Sequence, residues 1–154
     1  MDRHRVAIII PAFNEEKTIF KVIKEAYKFG KVIVINDGSK DKTAKLAKKA
    51  GAIVKNHKTN KGYDAALNTG FKIAAKLKTN YIITFDADGQ HKPNLIRKFV
   101  KLLKSGESIV LGVRDKKNRL AEHLFSFYTN YKYNILDPLC GLKGYRLENY
   151  RQRN

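Results

Sequence analysis

The sequence predicts an α/β domain: an open, mostly parallel sheet with helices on both faces. Three observations carry that prediction. Short, continuous runs of apolar β-branched residues recur along the chain, as in strands buried on both faces. Between them lie longer stretches whose apolar residues repeat at helical spacing. The length of 154 residues, 43% of them apolar, suits one domain, residues 1–154, with enough apolar side chain to bury a core.

The first strand spans residues 6–10, all apolar, and stops at Pro11. A helix follows over residues 16–29 and ends at Gly30, the residue type favoured just past a helix C-terminus. Residues 31–36 form a second buried strand, then Asp37-Gly38-Ser39 turns the chain. A short helix over 43–50 closes at Gly51 and leads to a strand at 52–54. A longer helix covers 62–77, and the strand at 81–85 (Tyr-Ile-Ile-Thr-Phe) follows. Residues 93–104 begin with proline and place Leu95, Ile96, Phe99, Val100 and Leu103 on one helical face. A strand at 108–111, an aromatic-rich helix at 121–133 and a last strand at 142–147 complete the pattern.

Composition narrows the function. Lys plus Arg number 32 against 14 Asp plus Glu, a formal net charge of +18. Lysines at helical spacing (Lys17, Lys21, Lys24, Lys28; Lys42, Lys45, Lys48, Lys49) read as solvated helix faces or as attraction to polyanions. Nucleic acid is disfavoured as the partner, because no helix-turn-helix, zinc finger or single-strand aromatic platform is recognisable. The longest apolar run, residues 6–13, falls short of the roughly 18 residues a membrane span needs. The residues before it, Met1-Asp2-Arg3-His4-Arg5, lack the longer apolar stretch and cleavage site expected of a signal peptide, and Cys140, alone, forms no internal disulfide. A soluble, cytoplasmic protein is expected, with peripheral attachment to the membrane face as an option.

In open parallel sheets ligands bind outside the carboxyl ends of the strands. That rule gathers three loops on one rim: residues 11–16, 37–39 and 86–91. Carboxylates concentrate there (Glu15, Glu16, Asp37, Asp86, Asp88), with Asp41 and Asp137 near other predicted loops. Helix capping accounts for Glu16 and Asp41 but not naturally for two aspartates one residue apart. In Asp86-Ala87-Asp88-Gly89-Gln90-His91, both carboxylates and the Gln90 amide oxygen suit a hard divalent cation, Mg²⁺ or Mn²⁺. Such a cation bridges diphosphate oxygens. Asp37 can accept a hydrogen bond from a base N–H and Glu15 can meet ribose or base, or they are a turn aspartate and a helix N-terminal glutamate. With no Gly-x-Gly-x-x-Gly after the first strand and no Gly-Lys-Ser/Thr loop, dinucleotide cofactors and P-loop chemistry are disfavoured.

Pro11-Ala12-Phe13-Asn14-Glu15-Glu16, Asn36-Asp37-Gly38-Ser39, Asn60-Lys61-Gly62-Tyr63 and the Asp86–His91 string occur in an order that resembles family 2 glycosyltransferases. The resemblance is greatest to the dolichyl-phosphate mannosyltransferase-like and polyprenyl-phosphate branch. It extends through Gly112-Val113-Arg114 to Asp137-Pro138-Leu139-Cys140-Gly141-Leu142. It implies a nucleotide-diphospho-sugar transferase fold of the A type and a divalent metal. Pro11, Phe13, Glu15 and Asp37 would line the nucleoside pocket. Asp86, Ala87 and Asp88 would meet the sugar diphosphate, with Asp86, Asp88 and Gln90 at the metal and Arg114 near phosphate.

The implied reaction moves a sugar from a UDP- or GDP-sugar, with inversion, to an acceptor, foremost a polyprenyl phosphate at a membrane surface. Asp88 and Arg114 would serve the chemistry, and Asp137 would be the base if the acceptor were a hydroxyl; its other reading is a turn aspartate before Pro138. Relatives continue for several tens of residues past the Cys140-Gly141 motif. Two rivals stand beside this reading. One is a nucleotide-sugar-binding module without turnover. The other is a haloacid-dehalogenase-type phosphatase, which expects Thr or Val where Gln90 stands. The aromatic helix at 121–133 is read as core, with lipid contact as the alternative.

Overall fold

The computed structural model describes residues 3–89, 91–113, 120–133, 136–137 and 139–148. For Arg3 and residues 120–125 it describes the backbone alone. Gln90, Arg114 and Pro138 therefore lie outside the described residues.

A short 3₁₀ turn, Arg3–Arg5, precedes β1 (Val6–Ala12), α1 (Ile19–Ala26), β2 (Lys31–Asn36), α2 (Thr43–Lys49) and β3 (Ile53–Asn56). Then come α3 (Tyr63–Lys76), β4 (Tyr81–Thr84), α4 (Asn94–Lys104), β5 (Ile109–Leu111), α5 (Leu120–Tyr133) and β6 (Lys143–Arg146). The six strands form one sheet in the order β3-β2-β1-β4-β6-β5. The β1–β2, β2–β3 and β1–β4 pairs are parallel. β6 runs antiparallel to both β4 and β5.

The continuous apolar runs are buried on both faces because alternate side chains enter different cores. Val6, Ile8, Ile10, Val32 and Val34 pack with Ile19, Val22 and Ile23 of α1 and Ile96, Phe99, Val100 and Leu103 of α4. Ala7, Ile9, Ile33 and Ile35 pack on the other face with Ala66 and Ala74 of α3. Burying one such Ile stabilises by about 1.5–3 kcal/mol relative to leaving it exposed. That is enough to hold a strand with no polar face in the sheet centre.

Three features depart from the sequence reading. β1 does not stop at Pro11 but continues to Ala12, and Pro11 pairs in register with Ile35. The reason is directional. Ile9 accepts from Phe85 N–H on the β4 side at 2.9 Å, and Ala12 accepts from Asp37 N–H on the β2 side at 2.9 Å. Pro11 thus turns its missing N–H toward β4, where the pairing has already ended at Ile9↔Thr84.

α1 is shorter than the expected 16–29, because residues 15–18 form a separate turn in which Thr18 and Ile19 N–H donate to Glu15 O. The third departure is α5, whose described aromatic side chains are not core. Phe127 is 75% and Tyr131 87% exposed, with Tyr128 and Tyr133 also exposed. Ser126 and Thr129, one helical turn apart, face inward instead and are buried. Leu124 and Phe125 fall outside the described side chains. No helix among the described residues is long and apolar enough to cross a membrane.

Candidate active site

The carboxyl ends of β1, β2 and β4 bring the three expected loops to one rim. The first two are laced together. Asn14 N–H donates to Ser39 Oγ at 2.9 Å, and Lys40 N–H returns a bond to Asn14 Oδ1 at 3.0 Å. Glu15 N–H donates to Thr43 Oγ1 at 2.7 Å, Glu16 N–H to Asp41 Oδ2 at 3.0 Å, and Lys42 N–H to Glu16 Oε2 at 3.1 Å. Glu16 and Asp41 are therefore cross-loop pins as much as helix-end residues. Burial alone would raise the Asp41 carboxyl, but the hydrogen bonds from Thr43 and Glu16 outweigh it and hold it below its ordinary value.

Behind β2, Asp37 is 4% exposed. His57 Nδ1 lies 2.6 Å from its Oδ1, Lys61 N–H donates to both oxygens at 3.0 and 3.1 Å, and Gly62 N–H donates to Oδ2 at 2.9 Å. Gly38 has φ +77°, and an added Cβ would run into the backbone of Thr59 and Asn60. Asp37 and Gly38 together seat the loop that leads into α3.

A cavity of about 140 Å³ opens beside this carboxylate. Its walls are Pro11, Ala12 and Phe13 from β1 and its exit, Asp37, and Asn60, Gly62, Tyr63 and Ala66 from the start of α3. Pro11, Phe13 and Asp37 thus meet as expected. Glu15 does not line it: its Oε2 accepts from Thr18 Oγ1 at 2.7 Å. Two wider clefts of about 490 Å³, one at residues 78–81 and 146–148 and one at Lys28, Phe29 and the start of α4, touch none of Asp37, Asp86 and Asp88.

Desolvation pushes the Asp37 carboxyl up, but His57 and the two amide donors prevail, so it sits below its ordinary value of 3.8. A carboxyl lowered by folding contributes stability that is full above its unfolded value and lost as pH falls through the folded one. Stability is therefore expected to fall on acidification below about pH 4. In Asp37→Asn that acid limb should flatten, measured as melting temperature against pH.

Tyr63 connects the cavity to the third loop. Its hydroxyl stands 3.5 Å from Asp86 Oδ1, while His91 Nε2 stands 2.9 Å from Asp86 Oδ2. Burial first, then the Asp86 charge, raises the Tyr63 phenol, so it stays a proton donor. Ala87 is buried and Asp88 exposed. Antiparallel β6 begins at this rim, and Gly141 presses on Asp86: a Cβ there would coincide with the carboxylate. Thr84 Oγ1 donates to Gly141 O at 2.6 Å and accepts from Lys143 N–H at 3.1 Å, tying the segment to β4. Asp137 lies just upstream and is 1% exposed.

Among the described residues no three His, Cys, Asp or Glu side chains group to cage an ion. A cation such as Mg²⁺, which retains waters and takes substrate phosphate oxygens, needs only one or two carboxylates. The oxygen donors Asp86 and Asp88 at a strand end fit that demand. Gln90 and Arg114, expected at the metal and the phosphate, lie outside the described residues. Sequence reasoning missed His57, whose only signal is its place three residues before the Asn60-Lys61-Gly62-Tyr63 string. It also quoted Tyr63 without giving it a role.

This architecture is the nucleotide-diphospho-sugar transferase fold of the A type. Glucosyl-3-phosphoglycerate synthase from Mycobacterium tuberculosis, crystallised with Mn²⁺, UDP-glucose and phosphoglyceric acid, superposes with a TM-score of 0.78. That likeness, at 24% identity, covers 93% of this chain and 57% of the synthase. The chain belongs to glycosyl transferase family 2, whose family model matches residues 7–148. An uncharacterized protein of Methanocaldococcus jannaschii is 40% identical over 146 residues, 92% of this chain and 60% of the relative. UDP-N-acetylglucosamine–dolichyl-phosphate N-acetylglucosaminyltransferase of Methanococcus voltae is 34% identical over 131 residues, 72% of this chain and 52% of the enzyme. The chain thus spans between half and three fifths of these relatives' length.

Proposed function

We propose that this chain carries the donor-binding and catalytic part of an inverting glycosyltransferase that moves a sugar from a UDP- or GDP-sugar to a polyprenyl phosphate. The observation that carries the reading is the junction at Tyr63. One residue lines the cavity that holds the Asp37 carboxylate and also approaches the Asp86 carboxylate at 3.5 Å. A nucleoside in the cavity therefore extends its diphosphate toward Asp86 and Asp88.

In this reading Pro11 and Phe13 pack against the base and Asp37 stands at its polar edge, while Glu15, tied to Thr18, shapes the loop after β1. Asp86, Ala87 and Asp88 face the sugar diphosphate, and Asp86, Asp88 and Gln90 hold Mg²⁺ or Mn²⁺. The cation supplies charge neutralisation for the departing diphosphate. Arg114 adds a cationic partner for phosphate. An acceptor phosphate oxygen forms the new bond to the anomeric carbon, while the bond to the nucleoside diphosphate breaks and its electron pair leaves with the diphosphate. A phosphate monoester, with a second pKa of about 6, is largely ionised at neutral pH and needs no proton acceptor.

The exposed face of α5 supports a lipid-borne acceptor. Phe127, Tyr128, Tyr131 and Tyr133 stand in solvent around Lys132, whose Nζ lies 5.7 and 5.3 Å from the Tyr128 and Tyr133 ring centres. Amphipathic aromatics with a cation among them suit the headgroup layer of an anionic membrane. That face supports a peripheral place on the membrane.

The test incubates the chain with UDP- or GDP-sugars, Mn²⁺ and vesicles of anionic lipid containing polyprenyl phosphate. Expected are release of nucleoside diphosphate and a glycosylated lipid, both stopped by EDTA. Binding of sugar nucleotide without either product, with every donor tried, would leave a binding module in its place.

A further inference from the structure

The loop that carries Asp86 and Asp88 is tied across its two ends. Asp86 follows β4, and His91 stands where the chain turns into α4. His91 Nε2 lies 2.9 Å from Asp86 Oδ2, and the imidazole is the more enclosed partner, 12% exposed against 27% for the carboxylate side chain. The ring packs on the buried ring of Phe85, with centroids 5.8 Å apart and planes tilted by 60°. We propose that His91 is a positioning residue, holding Asp86 by Oδ2 so that Oδ1 is presented to a divalent cation. The inference rests on the reading of Asp86 as a metal ligand.

Few other contacts hold this carboxylate. Among the described residues only Tyr63 and His91 donate to it, one to each oxygen. The Tyr63 hydroxyl stands 3.5 Å from Oδ1, at the outer limit of hydrogen bonding, so Oδ1 keeps room for a ligand. Gly141 crowds both oxygens with carbon and adds no hydrogen bond to either. A carboxylate only accepts, so the ring nitrogen that meets Oδ2 carries the proton. The chain beyond His91 is itself anchored: Leu95 N–H donates to Lys92 O and Ile96 N–H to Pro93 O, both at 3.0 Å, and Ile96 is buried in the core. His91 thus ties Asp86 to the start of α4 as well as to the end of β4. Without the imidazole, crowding by Gly141 and one long contact to Tyr63 leave the carboxylate free to turn about its Cβ–Cγ bond.

A cation registers this as affinity. A ligand oxygen already held in place binds without the entropy of ordering its side chain, and partners that orient metal ligands are worth about 10- to 100-fold in affinity. The same bond closes the loop on which Asp88 rides, so both carboxylates start from one arrangement. His91 acts through Asp86 and not on the ion, because the nitrogen that faces the carboxylate has its lone pair engaged in the ring and its proton on Oδ2.

The test is calorimetric titration with UDP and with GDP, each in Mn²⁺ and in EDTA, for the parent, His91→Leu, His91→Gln, His91→Asn and Asp86→Ala. The readout is the gain in affinity that Mn²⁺ brings. For the nucleotide the parent prefers, that gain should be about tenfold or more. His91→Leu should cut the gain about tenfold, while affinity in EDTA stays within about twofold of the parent. In His91→Gln the amide nitrogen reaches the Nε2 position and restores the gain; in His91→Asn it stops at the Nδ1 position and does not. Electron spin-echo spectra of the parent with Mn²⁺ and nucleotide should show no nitrogen coupling from a bound imidazole.

A folded His91→Leu that keeps the parent gain, or that weakens binding equally in EDTA, overturns the proposal. So does rescue by His91→Asn equal to that by His91→Gln, a comparison that still decides the matter if His91→Leu does not fold. A nitrogen coupling would make His91 a ligand of the ion and overturn the positioning role as well. Asp86→Ala separates the two readings. If it keeps the gain, or if Mn²⁺ brings the parent none, the metal-ligand reading fails and the inference with it. If it loses the gain while His91→Leu keeps it, only the positioning role fails.

Discussion

Replacing Asp88 by alanine is expected to remove the Mn²⁺-dependent rise in melting temperature that the proposed function requires of UDP or GDP, and to lower sugar transfer at least about a hundredfold, or about 2.7 kcal/mol of barrier. Asp88 is exposed in the loop that follows β4, so the substitution leaves no core cavity. The unliganded variant should unfold within about 0.5 kcal/mol of the parent. The loss then belongs to the carboxylate and not to the fold. Asp88→Asn separates charge from shape: its amide is nearly isosteric but a far weaker ligand for a hard cation. Thermal shift with and without Mn²⁺, for both variants, reads the outcome. Equal shifts in Asp88→Ala and the parent would remove this residue from the proposed metal site.

Gly141→Ala should be the single methyl that displaces the Asp86 carboxylate directly. Its Cβ would occupy the space of the Asp86 carboxylate, and the segment cannot retreat while Thr84 Oγ1 holds Gly141 O at 2.6 Å. Asp86 must then swing away and lose its His91 partner at 2.9 Å. An overpacked site of this kind costs about 1–3 kcal/mol of stability. Transfer should fall by more than about tenfold, because the displaced side chain is a proposed metal ligand. Urea unfolding of Gly141→Ala, Asp86→Ala and the double variant tests the cause. Removing the carboxylate makes room for the methyl, so the second substitution should cost much less in the Asp86→Ala background. Additive costs would show that Gly141 acts through some other contact.

Much of the architecture was legible because burial on two faces demands it. Residues 6–10 and 32–35 contain no polar side chain, so they can lie only in the middle of a sheet covered on both sides. The apolar faces of α1 and α4 follow from their 3.6-residue periodicity. The rim followed in turn, since parallel strands place the residues after β1, β2 and β4 at the same end. Asp37, Asp86 and Asp88 were identified in this way, as members of motifs at strand ends.

Other features had no local signal. Lys143–Arg146 reads as a strand, but nothing within it says that it enters antiparallel between β4 and β5. That choice depends on partners distant in the chain, Tyr81–Thr84 on one side and Ile109–Leu111 on the other, and on which edge of β4 is open. Its consequence is local: it delivers Gly141 onto Asp86. The outward face of α5 was misread for a related reason, because aromatic side chains favour burial in general but only the neighbouring surface decides whether there is room. Pro11 looked like a strand end, and only the missing β4 partner made it a tolerated strand residue.

By itself the sequence determined the fold class, the direction of the parallel strands and the rim where carboxylates collect. These depend on side-chain polarity and its period, which are local properties. The tertiary structure decided which side chain faces which: His57 behind Asp37, Tyr63 between cavity and loop, Gly141 against Asp86. Contacts between residues far apart in the chain are set by how the packed layers meet, and no local pattern encodes that meeting.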